Sequence, residues 1–223
     1  MSTTPRPQNP LLVVVCADDP TAISTLPDDY GQQWREATRG GRTATARLAD
    51  HLGVGIEVAD SADLTGDHDL LLLADVGKGL TTAAAQVACT HFNAEPQLVC
   101  GYGSDISDLA WMQKVAAIRR TAAADPEAPL PHALGVLVSV IETAAGSGTP
   151  VLLDGVVSSA AAAMASVKPP MQSPTTGDEP AQKFFLDRAD IGVWAGSGIG
   201  PGAGLAALGG LALLNLGLLA ADV

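Results

Sequence analysis

Short, unbroken apolar runs that end in small or acidic residues recur along the chain, each followed by an alanine-rich stretch with helical spacing. The runs cover residues 11–17, 54–59, 70–75, 97–100 and 151–154. Apolar runs without alternation are what parallel strands need when both of their faces are covered. The intervening stretches predict helices. One runs through residues 34–52, with Asp28 or Asp29 as cap and Gly53 as stop, and another is opened by Thr81 and Thr82 and ends near Phe92. Three more are predicted over 108–123, 132–145 and 158–167. This alternation predicts an α/β fold, a three-layer, mostly parallel Rossmann-like sheet with helices on both faces, whose ligands sit at the carboxyl ends of the strands. Residues 1–10 read as a flexible terminus and 11–223 as a single domain. The stretch 168–179, with Pro169, Pro170, Pro174 and Gly177, reads as a loop, either a lid or a tether.

Apolar residues make up 47% of the chain and charged residues 16%, a balance that suits a packed core. The net charge of -12 repels phosphate backbones and anionic lipid surfaces, so neither nucleic acid nor membrane is an expected partner. An anionic ligand must be held by local groups. Cys16, Cys89 and Cys100 sit in apolar surroundings without a C-x-x-C pair, the usage of a reducing cytoplasm, and no disulfide is expected. His51, His68, His91 and His132 are scattered, so no metal site is expected, and nothing calls for a cofactor. The terminus is polar and proline-rich rather than secretory. Residues 191–221 carry no charge, but glycine and proline crowd the first half, so this stretch reads as a buried loop and core helix rather than a membrane span.

Candidate chemistry gathers at four glycine-bearing segments. Asp75-Val76-Gly77-Lys78-Gly79-Leu80-Thr81-Thr82 joins a strand end to a helix start, where glycines let a phosphate approach the backbone and the helix N-terminus offers free N–H groups. It is neither a Walker A loop nor a dinucleotide fingerprint. Gly101-Tyr102-Gly103-Ser104-Asp105 repeats the arrangement, with Lys114 on the helix that follows. Lys78 and Lys114 are the sole basic residues between Arg47 and Arg119, which makes both candidates for anion contacts. Pro150 to Ala162 sets Asp154 and Gly155 just past a buried strand, and Gly196 to Gly204 contains Gly198, Ile199, Gly200 and Gly202 ahead of a final helix.

In this order the four segments resemble the nicotinate-nucleotide:dimethylbenzimidazole phosphoribosyltransferase family. The family's first loop has an acidic residue, glycines and paired threonines before alanines, as do Asp75, Gly77, Gly79, Thr81, Thr82 and Ala83. Its Gly-x-Gly loop and lysine are matched by Gly101, Gly103, Asp105, Asp108 and Lys114, its Pro-Val-x-x-Asp-Gly strand by Pro150 through Gly155, and its Glu-Pro loop by Glu179-Pro180. Cys16-Ala17-Asp18-Asp19-Pro20 stands where the family carries Ala-Gly-Asp-His-Gly. Leu26-Pro27-Asp28-Asp29 resembles its Tyr-Pro-x-Glu, and Gln33 its glutamine near the benzimidazole. The resemblance is to a shortened, diverged member, since family members are normally longer.

What the resemblance implies is transfer of 5-phosphoribose from nicotinate mononucleotide to 5,6-dimethylbenzimidazole in cobalamin nucleotide-loop assembly, with inversion at the anomeric carbon. A carboxylate takes the azole proton, and the pyridinium leaving group needs no acid. The family's base is a glutamate in a Gly-Glu-Gly loop, and here Gly198-Ile199-Gly200 stands in its place. Ile199 accepts no proton, which leaves Asp75, one methylene shorter than the family's glutamate in the first loop, as a substitute base. The implied substrate-binding set is Gln33, Gly77, Lys78, Gly79, Thr81, Thr82, Gly103, Lys114, Asp154, Gly155, Gly198, Gly200 and Gly202. Two readings follow. One is a phosphoribosyltransferase with weak or lost activity; the other is a non-catalytic homologue that binds a nucleotide or base, or pairs with a full-length enzyme. Apolar surface on alanine-rich helices adds the expectation of a homodimer.

Overall fold

A computed structural model describes residues 6–124, 129–194 and 202–221. The first half of the chain runs β1 (Pro10–Cys16), α1 (Tyr30–Arg39), α2 (Ala44–Leu52), β2 (Gly55–Ala59), β3 (Leu70–Val76), α3 (Leu80–Phe92), α4 (Pro96–Val99) and α5 (Asp108–Ala124). The second half runs α6 (His132–Ser147), β4 (Val151–Asp154), α7 (Val156–Met164), β5 (Met171–Gln172), α8 (Pro180–Ala189) and α9 (Leu205–Ala221). The five strands form one parallel sheet in the order β2-β1-β3-β4-β5.

Successive side chains of a strand point to opposite faces, so each apolar run feeds two cores. Leu11, Val13, Val15, Leu71, Leu73, Val151 and Leu153 pack on the face covered by α3 and α5–α8, while Leu12, Val14, Leu72, Ala74 and Leu152 pack against α1, α2 and α9. This is the three-layer arrangement expected from the sequence. In such a sheet the order reverses between β1 and β3, and the loops leaving those two strands part to opposite faces, which opens a crevice at their carboxyl ends.

Four local expectations give way to tertiary contacts. Residues 97–100 are not a strand: both edges of β3 are taken by β1 and β4, and Pro96 instead opens the short helix α4, where a missing N–H costs nothing. The helix expected through residues 34–52 breaks at Gly40 and Gly41 into α1 and α2. Asp29 makes no side-chain cap on α1; the cap comes from Asp18, whose carboxylate accepts from Gly31 N at 2.8 Å and Gln32 N at 3.2 Å. The proline-rich stretch 168–179 contains the edge strand β5 and is anchored by buried Ser173 and Thr175. Gln182, also buried, accepts from Gly177 N at 2.8 Å.

Among the described residues no helix is long and apolar enough to cross a membrane. The core tolerates little loss of volume at the centre of the sheet, where Leu73 is fully buried. Leu73→Ala is expected to cost about 2–5 kcal/mol through lost burial and the cavity left behind. Urea unfolding should show a lower midpoint with an unchanged slope.

Candidate functional site

The crevice between β1 and β3 is closed into a site by a single carboxylate. Asp18, just past β1, accepts from Lys78 N at 2.8 Å as well as from the two N–H groups that open α1. The chain after β1 continues alongside the chain after β3, with Ala17 N donating to Val76 O and Asp19 N to Lys78 O. Gly77 has to be glycine here, since a Cβ would collide with the Ala17 carbonyl. The loop after β1 also reaches the Gly101–Gly103 turn, where Thr25 N donates to Ser104 Oγ at 2.9 Å and Ser24 Oγ lies 2.8 Å from the same hydroxyl.

These loops enclose a cavity of about 440 Å3 whose walls include Thr81, Thr82, Gly103, Lys114 and Glu179. Lys114 belongs to the inward stripe of α5 with Val115 and Ile118, which is why a cation is only 2% exposed. Its ammonium donates to Thr81 Oγ1 and Gly101 O, both at 3.0 Å, and has one further proton to give. Glu179 Oε1 accepts from Gly103 N at 2.6 Å. Two polar atoms of residues lining this cavity, Thr82 Oγ1 and Glu179 Oε2, are buried without a hydrogen-bond partner, the second packed against Gly101. Gly79 caps α3 without a side chain, so neither threonine serves as the cap expected from the sequence.

A second cavity of about 360 Å3 adjoins the first and is lined by Asp75, Tyr30, Gly155 and Gly202. Gly77, Leu80, Thr81 and Glu179 line both. Burial raises the Asp75 carboxyl to about 7, and the nearby charge of Asp154 adds to the rise, while the N–H groups of Ser158 and Val157 partly offset it. Burial likewise raises Asp154 to about 6. Asp154 is 1% exposed and accepts from Gly202 N, Ala206 N at 2.8 Å and Ala207 N at 3.1 Å, so it anchors the N-terminus of α9.

The structure therefore brings together Asp75, Gly77, Gly79, Thr81, Thr82, Gly103, Lys114, Gly155 and Gly202 around two joined cavities. Other expected members lie elsewhere. Lys78 turns its ammonium to Asp28 at 2.7 Å and to the Pro20 carbonyl, so it braces the loop after β1. Gln33 is exposed and donates to Asp29, and Asp154 is occupied by backbone N–H groups beneath the second cavity. Gly198, Ile199 and Gly200 lie outside the described residues. Glu179 lines both cavities and is missing from the expected set, and the Glu-Pro pair was its sequence signal. Among the described residues no cluster of three or more His, Cys, Asp or Glu side chains could hold a metal ion.

A phosphoribosyltransferase family model matches residues 52–219, a span that contains all four glycine-bearing segments. The nicotinate-nucleotide–dimethylbenzimidazole phosphoribosyltransferase of Corynebacterium efficiens is 34% identical over 175 residues, covering 69% of this chain and 47% of that protein. The protein of the same name from Mycobacterium avium is 34% identical over 155 residues, covering 63% of this chain and 44% of that one. The chain thus spans about half the length of the curated relatives it matches. The crystal structure of CobT from Thermus thermophilus shares the fold with a TM-score of 0.81 at 17% identity, over 97% of this chain and 84% of that one.

Asp75 takes up a proton more readily in the folded chain than in the unfolded one, where its value is the ordinary 3.8. The folded state therefore binds more protons between that value and about 7, so the contribution of this group to stability falls as pH rises through the window and levels off above it. Asp75→Asn should weaken the pH dependence of the melting temperature there; an unchanged profile would remove Asp75 as its source. Asp154→Ala should lose about 1–3 kcal/mol in denaturant melts, because the N–H groups opening α9 are left without an acceptor.

Proposed function

Because this chain belongs to the nicotinate-nucleotide:dimethylbenzimidazole phosphoribosyltransferase family, we propose that it transfers 5-phosphoribose from nicotinate mononucleotide to 5,6-dimethylbenzimidazole or a related azole, as a step of cobalamin nucleotide-loop assembly. The observation that carries this reading is the pair of joined cavities at the reversal of the sheet, one with a buried cation and unpartnered polar atoms, the other with a carboxylate raised to about 7. A phosphate monoester suits the first cavity, where the opening turn of α3 presents N–H groups without intrahelical partners and Lys114 supplies the charge. An otherwise acidic chain then needs no wider positive field to hold it.

The azole occupies the second cavity. Its ring nitrogen attacks the ribose carbon while the bond to the pyridinium nitrogen breaks, and that bond's electron pair stays on nicotinate. The proton on the azole's other nitrogen passes to Asp75, whose raised value places it near the neutral range where a general base is most effective. Asp75 is in this way the substitute for the glutamate that Ile199 replaces. The isoleucine also favours a second reading, in which the site binds the nucleotide without turning it over. The exposed apolar residues Leu98, Leu109 and Met112 support the expectation of a homodimer.

Incubation of the purified chain with nicotinate mononucleotide and dimethylbenzimidazole should yield α-ribazole phosphate, detected by chromatography. Binding without product selects the second reading, and no binding defeats both. Asp75→Asn should lower kcat by about 10²–10⁴-fold with nicotinate mononucleotide still bound. In the wild type, kcat/KM should rise with pH through about 7 as Asp75 loses its proton, then level off. Equal rates in wild type and Asp75→Asn would take the base assignment away.

A further inference from the structure

The geometry points to Glu179 as the carboxylate that stabilises positive charge on the ribosyl carbon during transfer, an inference that rests on the phosphoribosyl reading of the site. The ribosyl carbon exchanges one base for another, so it must lie where the two cavities meet. Among the described residues four line both cavities, Gly77, Leu80, Thr81 and Glu179, and of these Glu179 alone carries an ionisable side chain. Its position is set from outside the reaction: Pro180 opens α8 directly behind it, and the Gly103 N–H holds Oε1 at 2.6 Å. Oε2 is left buried with no partner, although it belongs to a strong acceptor.

No Lys, Arg or His nitrogen forms an ion pair with Glu179 among the described residues, and the neighbouring Lys114 gives its bonds to Thr81 and Gly101 instead. The carboxylate is therefore tied down by the backbone and not held in a direct ion pair. As the bond to the pyridinium nitrogen lengthens, its electron pair moves onto nicotinate and the ribose carbon and ring oxygen share a positive charge until the azole lone pair closes the new bond. A fixed anion beside that carbon lowers the energy of this state more than that of the bound substrate. The two carboxylates then have separate duties. Asp75 takes the azole proton, whereas Glu179 takes none and forms no covalent bond.

The test compares ribose 5-phosphate with an iminoribitol 5-phosphate, in which a protonated ring nitrogen carries the charge of the transition state. Titration calorimetry on the wild type should show a preference of about 10²-fold or more for the cation. Glu179→Gln keeps an acceptor for Gly103 N–H and nearly the same shape but no charge; it should lose most of that preference with its affinity for ribose 5-phosphate unchanged. Where the wild type turns over, the same substitution should lower kcat by about 10²-fold and leave KM for nicotinate mononucleotide unaltered. If Glu179 does no more than brace the Gly101–Gly103 turn, the glutamine variant will keep both the preference and kcat. That outcome, or a wild type that binds ribose 5-phosphate without favouring the cation, overturns the inference and leaves the phosphoribosyl reading standing. A wild type that binds neither compound removes the reading and the inference with it. The wild-type preference is measured on the unaltered chain, so its absence overturns the inference even if the variant is unstable.

Discussion

The carboxylate of Asp18 ties together three backbone segments that a doubly wound sheet sends in different directions: the end of β1, the turn after β3 and the start of α1. Parallel strands force this problem, because reversal of the order between β1 and β3 necessarily leaves a gap between the loops that follow them. One acceptor with two oxygens satisfies three N–H groups and turns the gap into a wall. The glycine turn after β3 depends on it twice over. Its backbone is fixed by Asp18, and the chain after β1 lies so close that Gly77 has no room for a side chain. The glycine is thus required by packing within the protein itself, whatever a ligand requires of it.

Around that wall the charges are arranged one at a time. The chain has twice as many acidic as basic residues, yet the first cavity holds a buried ammonium bonded to neutral oxygens, which leaves its charge available to an anion. Three carboxyl groups near the joined cavities are handled differently. Asp154 is consumed by the N-terminus of α9, Asp75 is buried beside it and so holds its proton up to about 7, and Glu179 is fixed by one backbone N–H with its other oxygen unpartnered. Burial, a like charge and a single tether give three similar side chains three distinct environments.

Much of this was legible in the sequence because it depends on neighbours along the chain. Apolar runs of strand length, small or acidic residues at their ends and glycine before a helix are local patterns, and they identified β1 to β4 and most of the helices, and marked the glycine loop at Asp75 and the lysine at Lys114 as candidates. Where the reading failed, the deciding contact came from far away. A four-residue apolar run looks like a strand until both edges of its neighbour are found occupied, which is how residues 97–100 became α4. Lys78 lies within one glycine loop and Lys114 on the helix after another, and both read as anion contacts, but Asp28 captures the first and α5 delivers the second into the cavity.

By itself, then, the sequence determined the α/β class, the parallel sheet and the family, since hydrophobic period and motif order survive without coordinates. Only the tertiary structure decided which charged groups face the crevice. Glu179 lies 76 positions from the Gly103 N–H that holds it, and Asp18 lies 60 from Lys78 N. The direction in which a side chain points depends on which strands pair and which helix covers them, and that information is spread over the whole chain rather than carried in any one stretch of it.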